Sequence, residues 1–90
     1  MHIRLAAGTT LTNVEGKDVL FSVKSGDSYG LNETAARMTR LGLEADLDEV
    51  VNRLASEYGA EPGEIRGDFE ELVGELVQLK FVQLVSVQGG

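Results

Sequence analysis

The chain has 90 residues and a net charge of −7, from 15 acidic and eight basic side chains, and it contains no cysteine. This acidic surface disfavours nucleic acids and anionic membranes as ligands, and it favours a basic or neutral partner. The absence of cysteine excludes a disulfide framework and a thiolate metal site. The length and the 42% hydrophobic content predict a single soluble domain, residues 1–90.

Residues 1–8 do not resemble a signal peptide, because their apolar run is short and Arg4 interrupts it. No stretch of the sequence approaches the ~20 apolar residues of a membrane span. Both observations favour a cytoplasmic protein. The segment itself is compatible with a strand or with irregular structure.

Three β-prone runs separated by two short turns follow, at residues 9–14, 18–24 and 28–31. Short turns between such runs predict an antiparallel three-stranded meander. In the second run Val19, Phe21 and Val23 share one face, and Leu20 lies on the opposite face. The third run ends where a helix is predicted to begin.

Three amphipathic helices are predicted after this meander. Asn32 is a favourable N-cap for the first, and Gly42 is a natural C-terminal stop. Asp46 caps the second helix, Gly59 ends it, and Pro62 fits the first turn of the third. Apolar residues recur in each helix at the spacing of a buried stripe: Ala35, Met38 and Leu41; Leu47, Val50, Val51, Leu54 and Tyr58; Ile65, Phe69, Leu72, Leu76 and Leu79.

The order of the elements indicates an α+β fold, because strands and helices are segregated along the chain. A three-stranded antiparallel sheet followed by three helices is also winged helix-turn-helix-like. Residues 81–87 alternate in part and are a candidate for a last short strand.

The sequence offers little for catalysis. The only histidine, His2, lies at the N-terminus, and nucleophilic catalysis needs a base within reach of its nucleophile. The acidic residues of the helical part fit solvated helix faces and helix N-termini. They lack the pattern of a calcium loop, and the glycines do not form a phosphate-binding loop. We therefore expect no enzyme activity, no metal site and no cofactor.

A winged-helix transcription regulator is the alternative that this topology invites. Its recognition helix would present basic or amide side chains to the base edges. The third predicted helix has Arg66, Gln78 and Lys80 among many acidic residues, so it lacks a basic stripe. This pattern disfavours DNA as the ligand.

Val73 and Val77 lie off the main stripe of the third helix, one turn apart. One interpretation is that they widen the core stripe. The other is that they line a groove beside the third strand, whose free edge would accept an extended peptide by backbone pairing. The residues alone leave both interpretations open. A permanent dimer formed through the same edge is a further alternative.

The sequence resembles the PqqD-like family of RiPP recognition elements in three stretches, YGLNETAARM, LDEVVNRLASEYG and IRGDFEELVGELVQLKFVQLV. The resemblance extends over residues 9–85, and its most specific part is the junction 31–36. It implies a winged-helix-like domain that binds the leader region of a ribosomally made precursor peptide. The leader would be an added antiparallel strand, paired with the third strand and lying against the third helix.

The resemblance also implies the residues of the site. The strand side comprises Asp27, Ser28, Tyr29, Gly30 and Leu31. The helix side comprises Phe69, Val73, Leu76, Val77 and Lys80, with Arg66 and Glu70 at the rim.

A free-standing protein of this kind needs a separate maturation enzyme as a partner. By resemblance, one candidate is a radical SAM enzyme, as in pyrroloquinoline quinone pathways. The other is a leader peptidase with a cyclase, as in lasso-peptide pathways. We expect a monomer or a weak dimer.

Overall fold

Five strands and three helices make up residues 2–85, the part of the chain that this computed structural model describes. In chain order they are β1 (His2–Leu5), β2 (Thr9–Val14), β3 (Lys17–Ser22), β4 (Ser28–Gly30), α1 (Glu33–Glu44), α2 (Leu47–Tyr58), α3 (Pro62–Gln78) and β5 (Val82–Val85). The α+β class and the three helices are confirmed. The three-stranded antiparallel sheet is also present, but the chain has two further strands, because one precedes the meander and another follows the helices.

The strands form two antiparallel sheets within the described residues. β2, β3 and β4 form the predicted meander, in that order. β1 and β5 pair only with each other, from His2 opposite Val85 to Leu5 opposite Val82. The N-terminal segment and the tail, both undecided from the sequence, therefore join in a two-stranded ribbon. Residues 86 and 87 of the predicted last strand lie outside the described residues.

A two-residue turn joins β2 to β3. Glu15 and Gly16 both have positive φ, 52° and 85°. Two positive φ values characterise the type I′ turn, whose twist matches that of the flanking strands. The turn sets the register of the hairpin, in which Val14 lies opposite Lys17.

The inner face of β3 is not its more apolar face. Leu20 is fully buried in the core, whereas Phe21, on the outer face, is 40% exposed. Asp18 also lies on the inner face and is buried. Arg40 of α1 donates two hydrogen bonds to the Asp18 carboxylate, at 2.6 and 2.8 Å, and Asn13 donates a third at 3.0 Å. The pairing offsets the cost of burying this charge and fastens α1 to the sheet.

We expect the stability contributed by Asp18 to disappear at acidic pH. Hydrogen bonds from Arg40 and Asn13 lower the pKa of Asp18 from 3.8 to about 2 in the folded protein. Its contribution is therefore complete above about pH 4 and is lost as the pH falls towards 2. At neutral pH, Asp18→Asn should lower the free energy of unfolding by about 1–3 kcal/mol. In urea titrations from neutral pH down to about pH 2, the difference in free energy of unfolding between wild type and Asp18→Asn should shrink. A difference that stays constant would contradict the assignment.

The sequence predicted that Gly42 ends the first helix, and this prediction is wrong. The helix continues to Glu44, and Gly42 lies inside it where α1 packs closely on its neighbours. A Cβ atom on Gly42 would lie 2.9 Å from Cζ of Phe69 and 3.1 Å from the side chain of Ile3. The glycine permits close packing rather than chain reversal. The predicted caps are confirmed at Asn32, whose side chain accepts a hydrogen bond from the backbone N–H of Ala35 at 2.7 Å.

The other helix boundaries follow the predicted signals. The Asp46 side chain accepts a hydrogen bond from the N–H of Asp48 at the start of α2. Gly59 ends α2 in the left-handed conformation, with φ 63°. Pro62 occupies the first turn of α3. Local sequence signals therefore mark the start of each helix and the end of α2.

The predicted apolar stripes are largely confirmed as core. The buried members are Met38, Leu41, Leu47, Val50, Val51, Leu54, Ile65, Phe69 and Leu76. Tyr58 and Leu79 were predicted wrongly, because 46% and 49% of their surfaces are exposed. Ala35 and Leu72 are half-buried. Val73 is buried, 6% exposed, so its position agrees with the interpretation that it widens the core stripe.

Two glycine-to-alanine variants should change stability in opposite directions. Gly42→Ala should destabilise the fold by about 1–3 kcal/mol, since its methyl group would overpack the contact with Phe69. Gly67→Ala should stabilise it by about 0.5–1 kcal/mol, because a Cβ there meets nothing within 4 Å in a helix interior. Chemical denaturation of both variants checks the pair. If the two variants changed the free energy of unfolding equally, the close packing described at Gly42 would be contradicted.

Candidate functional site

The outer edge of β4 carries backbone groups that no strand pairs with in residues 2–85. β4 is the last strand of its sheet and pairs with β3 alone. Its bonds to β3 include those flanking the strand, Ser22 N–H to Asp27 O and Leu31 N–H to Asp18 O, both 2.9 Å. Successive residues of an antiparallel strand point their backbone groups in opposite directions. Ser28 and Gly30 therefore direct their N–H and C=O groups away from the sheet.

The two ends of the described chain do not cover this edge. β1 pairs with β5, and beyond the ribbon the N–H of Ala6 donates to the carbonyl of Phe81 at 3.0 Å. These segments hold each other instead of adding to β4. Within residues 2–85, the edge is open to another backbone.

A cleft of about 570 Å³ lies between this edge and α3. We call it the edge cleft, and its lining residues are Tyr29, Gly30, Asn32, Ala35, Asp68, Glu71, Leu72 and Glu75. The α3 wall therefore carries three carboxylates around one leucine. The Tyr29 ring contacts Phe81 edge to face, with centroids 6.0 Å apart. Burial, the neighbouring charge of Glu75 and a hydrogen bond with its side chain raise the pKa of the Tyr29 hydroxyl.

A second cleft, of about 1120 Å³, lies at the other end of β4. We call it the turn cleft, because the β3–β4 turn forms one side and the C-terminal end of α3 forms the other. Asp27, Lys24, Val77, Leu79 and Lys80 are among its lining residues. It is less acidic than the edge cleft, since two lysines face one aspartate. The turn cleft, which has charges of both signs, therefore lies at the Asp27 end of β4, and the acidic edge cleft lies at the Gly30 end.

The structure brings together only some of the predicted site residues. Four strand-side members, Asp27 to Gly30, lie at the open edge or line a cleft, whereas Leu31 is buried. Phe69, Val73 and Leu76 are buried in the core under α3.

The remaining helix residues divide between different surfaces. Val77 and Lys80 line the turn cleft. Arg66 donates a hydrogen bond to Asp48 of α2. Glu70 lines a third cleft, of about 540 Å³, beside β1 and β5. Arg66 and Glu70 therefore do not line either cleft at β4, because they lie on the flank of α3 turned away from that strand.

The helix residues that line the edge cleft were missed by sequence reasoning. Asp68, Leu72 and Glu75 recur at i, i+4 and i+7, so they share one flank of α3. The spacing of these three residues could therefore have indicated that they line one surface together. It was overlooked because Leu72 was assigned to the core and the acidic residues to a solvated face.

Metal and membrane sites have no support in the described part of the chain. No group of three or more His, Cys, Asp or Glu residues there is arranged to hold a metal ion. None of the helices in residues 2–85 is both long and apolar enough to cross a membrane.

The geometry at β4 is that of a binding groove. One wall offers the outward backbone N–H and C=O groups of the strand, and the other wall is the helix α3.

Comparison with known proteins identifies the family. Residues 18–82 match the family of coenzyme PQQ synthesis protein D (PqqD). This match spans more than half of the chain, so the chain belongs to the PqqD family. A search of curated proteins found no match.

Three solved structures share the fold. A lasso peptide synthetase B1 complexed with its leader peptide has a TM-score of 0.87 and 26% identity, over 93% of this chain and 100% of that chain. TbiB1 in complex with the TbiA(β) leader peptide has a TM-score of 0.83 and 16% identity, over 93% and 99%. The PqqD part of Methylobacterium extorquens PqqCD, a stand-alone RiPP recognition element, has a TM-score of 0.73 and 23% identity, over 91% and 88%.

Proposed function

We propose that this chain binds the leader region of a ribosomally synthesised precursor peptide and presents it to a separate maturation enzyme. The observation that carries the proposal is the open edge of β4 beside the edge cleft. Ser28 and Gly30 offer two donors and two acceptors to an incoming backbone, which is the requirement for strand addition. Two of the structurally similar proteins are described in complex with leader peptides.

The leader would lie antiparallel to β4. Its N-terminal part would then pass Gly30 and the carboxylates of the edge cleft, and its C-terminal part would pass Asp27 and the turn cleft. Side chains that alternate along the leader would enter the space between β4 and α3. A basic side chain near the N-terminal part would complement the charge of Asp68, Glu71 and Glu75.

The proposed site keeps the strand side of the sequence prediction and revises the helix side. Residues 27–31 pair with or support the leader, and Val77 and Lys80 contact its C-terminal part. Leu72 and the carboxylates of the edge cleft replace Arg66 and Glu70 as helix contacts. Phe69, Val73 and Leu76 hold α3 against the core and act indirectly.

The remaining parts of the proposal concern the context of the site. Residues 1–90 act as one recognition domain in the cytoplasm, without catalysis, as a monomer or weak dimer. Its enzyme partner is a radical SAM enzyme or a leader peptidase with a cyclase. The structural similarity to a lasso peptide synthetase B1 supports the second.

We do not propose DNA binding, because α3 would present Asp68, Glu71 and Glu75 where a recognition helix needs basic groups.

The direct test uses synthetic peptides that cover the N-terminal regions of short reading frames encoded beside this gene. Each is labelled with fluorescein and titrated with the protein. We expect one to bind with a Kd of about 10 µM or tighter. In a parallel NMR titration, the amide signals of Ser28 and Gly30 should shift on binding. A scrambled peptide is the control. No binding, or shifts confined to other surfaces, would refute the proposal.

A further inference from the structure

The outer face of the meander carries an apolar patch close to the open edge. Val14, Val19, Phe21 and Val23 form this patch, which we call the outer patch. Val14 is 52%, Phe21 40% and Val23 66% exposed. Single exposed apolar residues are ordinary, but Val19 and Phe21 are successive outward positions of β3. Val14 lies diagonal to Val19 across the β2–β3 ladder, and Val23 directly follows the strand.

The residues between the outer patch and the open edge are unusually small. In the β3–β4 ladder, Phe21 lies opposite Ser28 and Val19 lies opposite Gly30. Directly opposite residues of an antiparallel pair share a face. The outward positions of β4 thus carry a hydroxymethyl group and a hydrogen atom, so β4 itself places no large side chain between Phe21 or Val19 and the edge.

Lys17 extends this surface towards the edge. A Cβ atom on Gly30 would lie 3.1 Å from Cε of Lys17. The lysine side chain therefore lies over Gly30 on the outer face, where its methylene groups add apolar surface.

We infer that the bound peptide is recognised on both faces of the extended sheet, and that its outward side chains opposite Ser28 and Gly30 are apolar. The first packs across Ser28 onto Phe21, and the second packs on the Lys17 methylene groups that lie over Gly30. This inference rests on the proposed function, since it requires a strand added to β4. Neighbouring strands are about 4.8 Å apart. A Leu, Met or aromatic side chain on the added strand spans Ser28 and reaches Phe21, whereas one opposite Gly30 meets the Lys17 methylene groups.

The inference specifies a pattern in the ligand. An added strand alternates its side chains, so the residue opposite Tyr29 enters the edge cleft and the residues on either side of it face outward. The preferred ligand therefore has two apolar residues separated by one position. The intervening residue, which faces the carboxylates, is polar or basic. Selection on both faces would favour this alternation over a uniformly apolar strand.

The test selects ligands from an mRNA-displayed library of short random linear peptides, with the wild-type chain as bait. The affinities of the enriched peptides are then measured for wild type, Phe21→Thr, Val14→Thr and Ser28→Pro. We expect Phe21→Thr to weaken binding about three- to fivefold. Val14→Thr is the matched control, because Val14 is a similarly exposed valine of the outer patch on β2, two strands from the edge. We expect it to change little.

The outcomes separate the inference from the proposed function. Enriched apolar residues at alternate positions, together with loss of affinity in Phe21→Thr, support the inference. Peptides that lose binding to Ser28→Pro but bind Phe21→Thr unchanged overturn the inference and leave the proposed function standing. Peptides insensitive to Ser28→Pro overturn both. Sedimentation in which Phe21→Thr abolishes self-association would assign the outer patch to a second copy of the chain, and would also overturn the inference.

Discussion

Ser28→Pro should weaken leader binding at least about tenfold, because it removes one outward N–H and leaves a carbonyl of the bound peptide without its donor. The proline ring also occupies space that the incoming strand needs. The fold should survive, since the N–H of Ser28 points away from β3 and takes no part in the ladder that holds β4. Proline is tolerated on edge strands in this orientation.

Fluorescence anisotropy with a labelled leader peptide measures this effect. Ser28→Ala is the control, because it removes the hydroxyl group and keeps the backbone donor. We expect Ser28→Ala to bind within about twofold of wild type. An amide spectrum of Ser28→Pro with native dispersion excludes unfolding as the cause. Full affinity in a folded Ser28→Pro variant would move the binding site away from β4.

Leu72→Asp should weaken leader binding about tenfold or more. Leu72 is the apolar residue on the α3 wall of the edge cleft, among Asp68, Glu71 and Glu75. A carboxylate in its place would remove the apolar contact that this wall offers to the peptide and would have to be desolvated when the peptide binds. Because Leu72 is also half-buried against the core, some loss of stability is expected as well.

Leu43→Asp provides the matched control for this variant. Leu43 is likewise half-buried and packed against the core, but it lies on α1 and lines neither cleft at β4. The two variants should lose similar stability in thermal melts, whereas only Leu72→Asp should lose affinity in calorimetric titrations at a temperature where both are folded. Equal affinities of the two variants would remove Leu72 from the site.

Local sequence signals predicted the elements around the site. The N-cap at Asn32, the turn at Glu15 and Gly16 and the stop at Gly59 each depend on residues within one turn of the chain. Gly42 misled because a glycine at a close helix contact and a glycine at a helix end look alike in sequence. Only the proximity of Phe69, far along the chain, distinguishes them.

Long-range packing determined what the sequence could not predict. The apolar spacing of α3 defines a stripe, but the direction in which each flank faces depends on how the helix docks on the sheet. Val73 was therefore assigned a groove role as readily as a core role, and Asp68 and Glu75 were not assigned to the site. The burial of Asp18 depends on Arg40, 22 positions away. The pairing of β1 with β5 joins segments separated by most of the chain.

That ribbon has a consequence for how the domain can be connected to other proteins. His2 lies opposite Val85, so the first and last residues that the structure describes are neighbours. A catalytic domain fused through a short linker at either terminus would occupy the same side of the molecule. The ribbon belongs to a separate sheet from β4, so such a fusion would not need to disturb the strand edge. The same architecture is therefore suited to covalent tethering from either direction and, with a linker joining the two ends, to circular permutation.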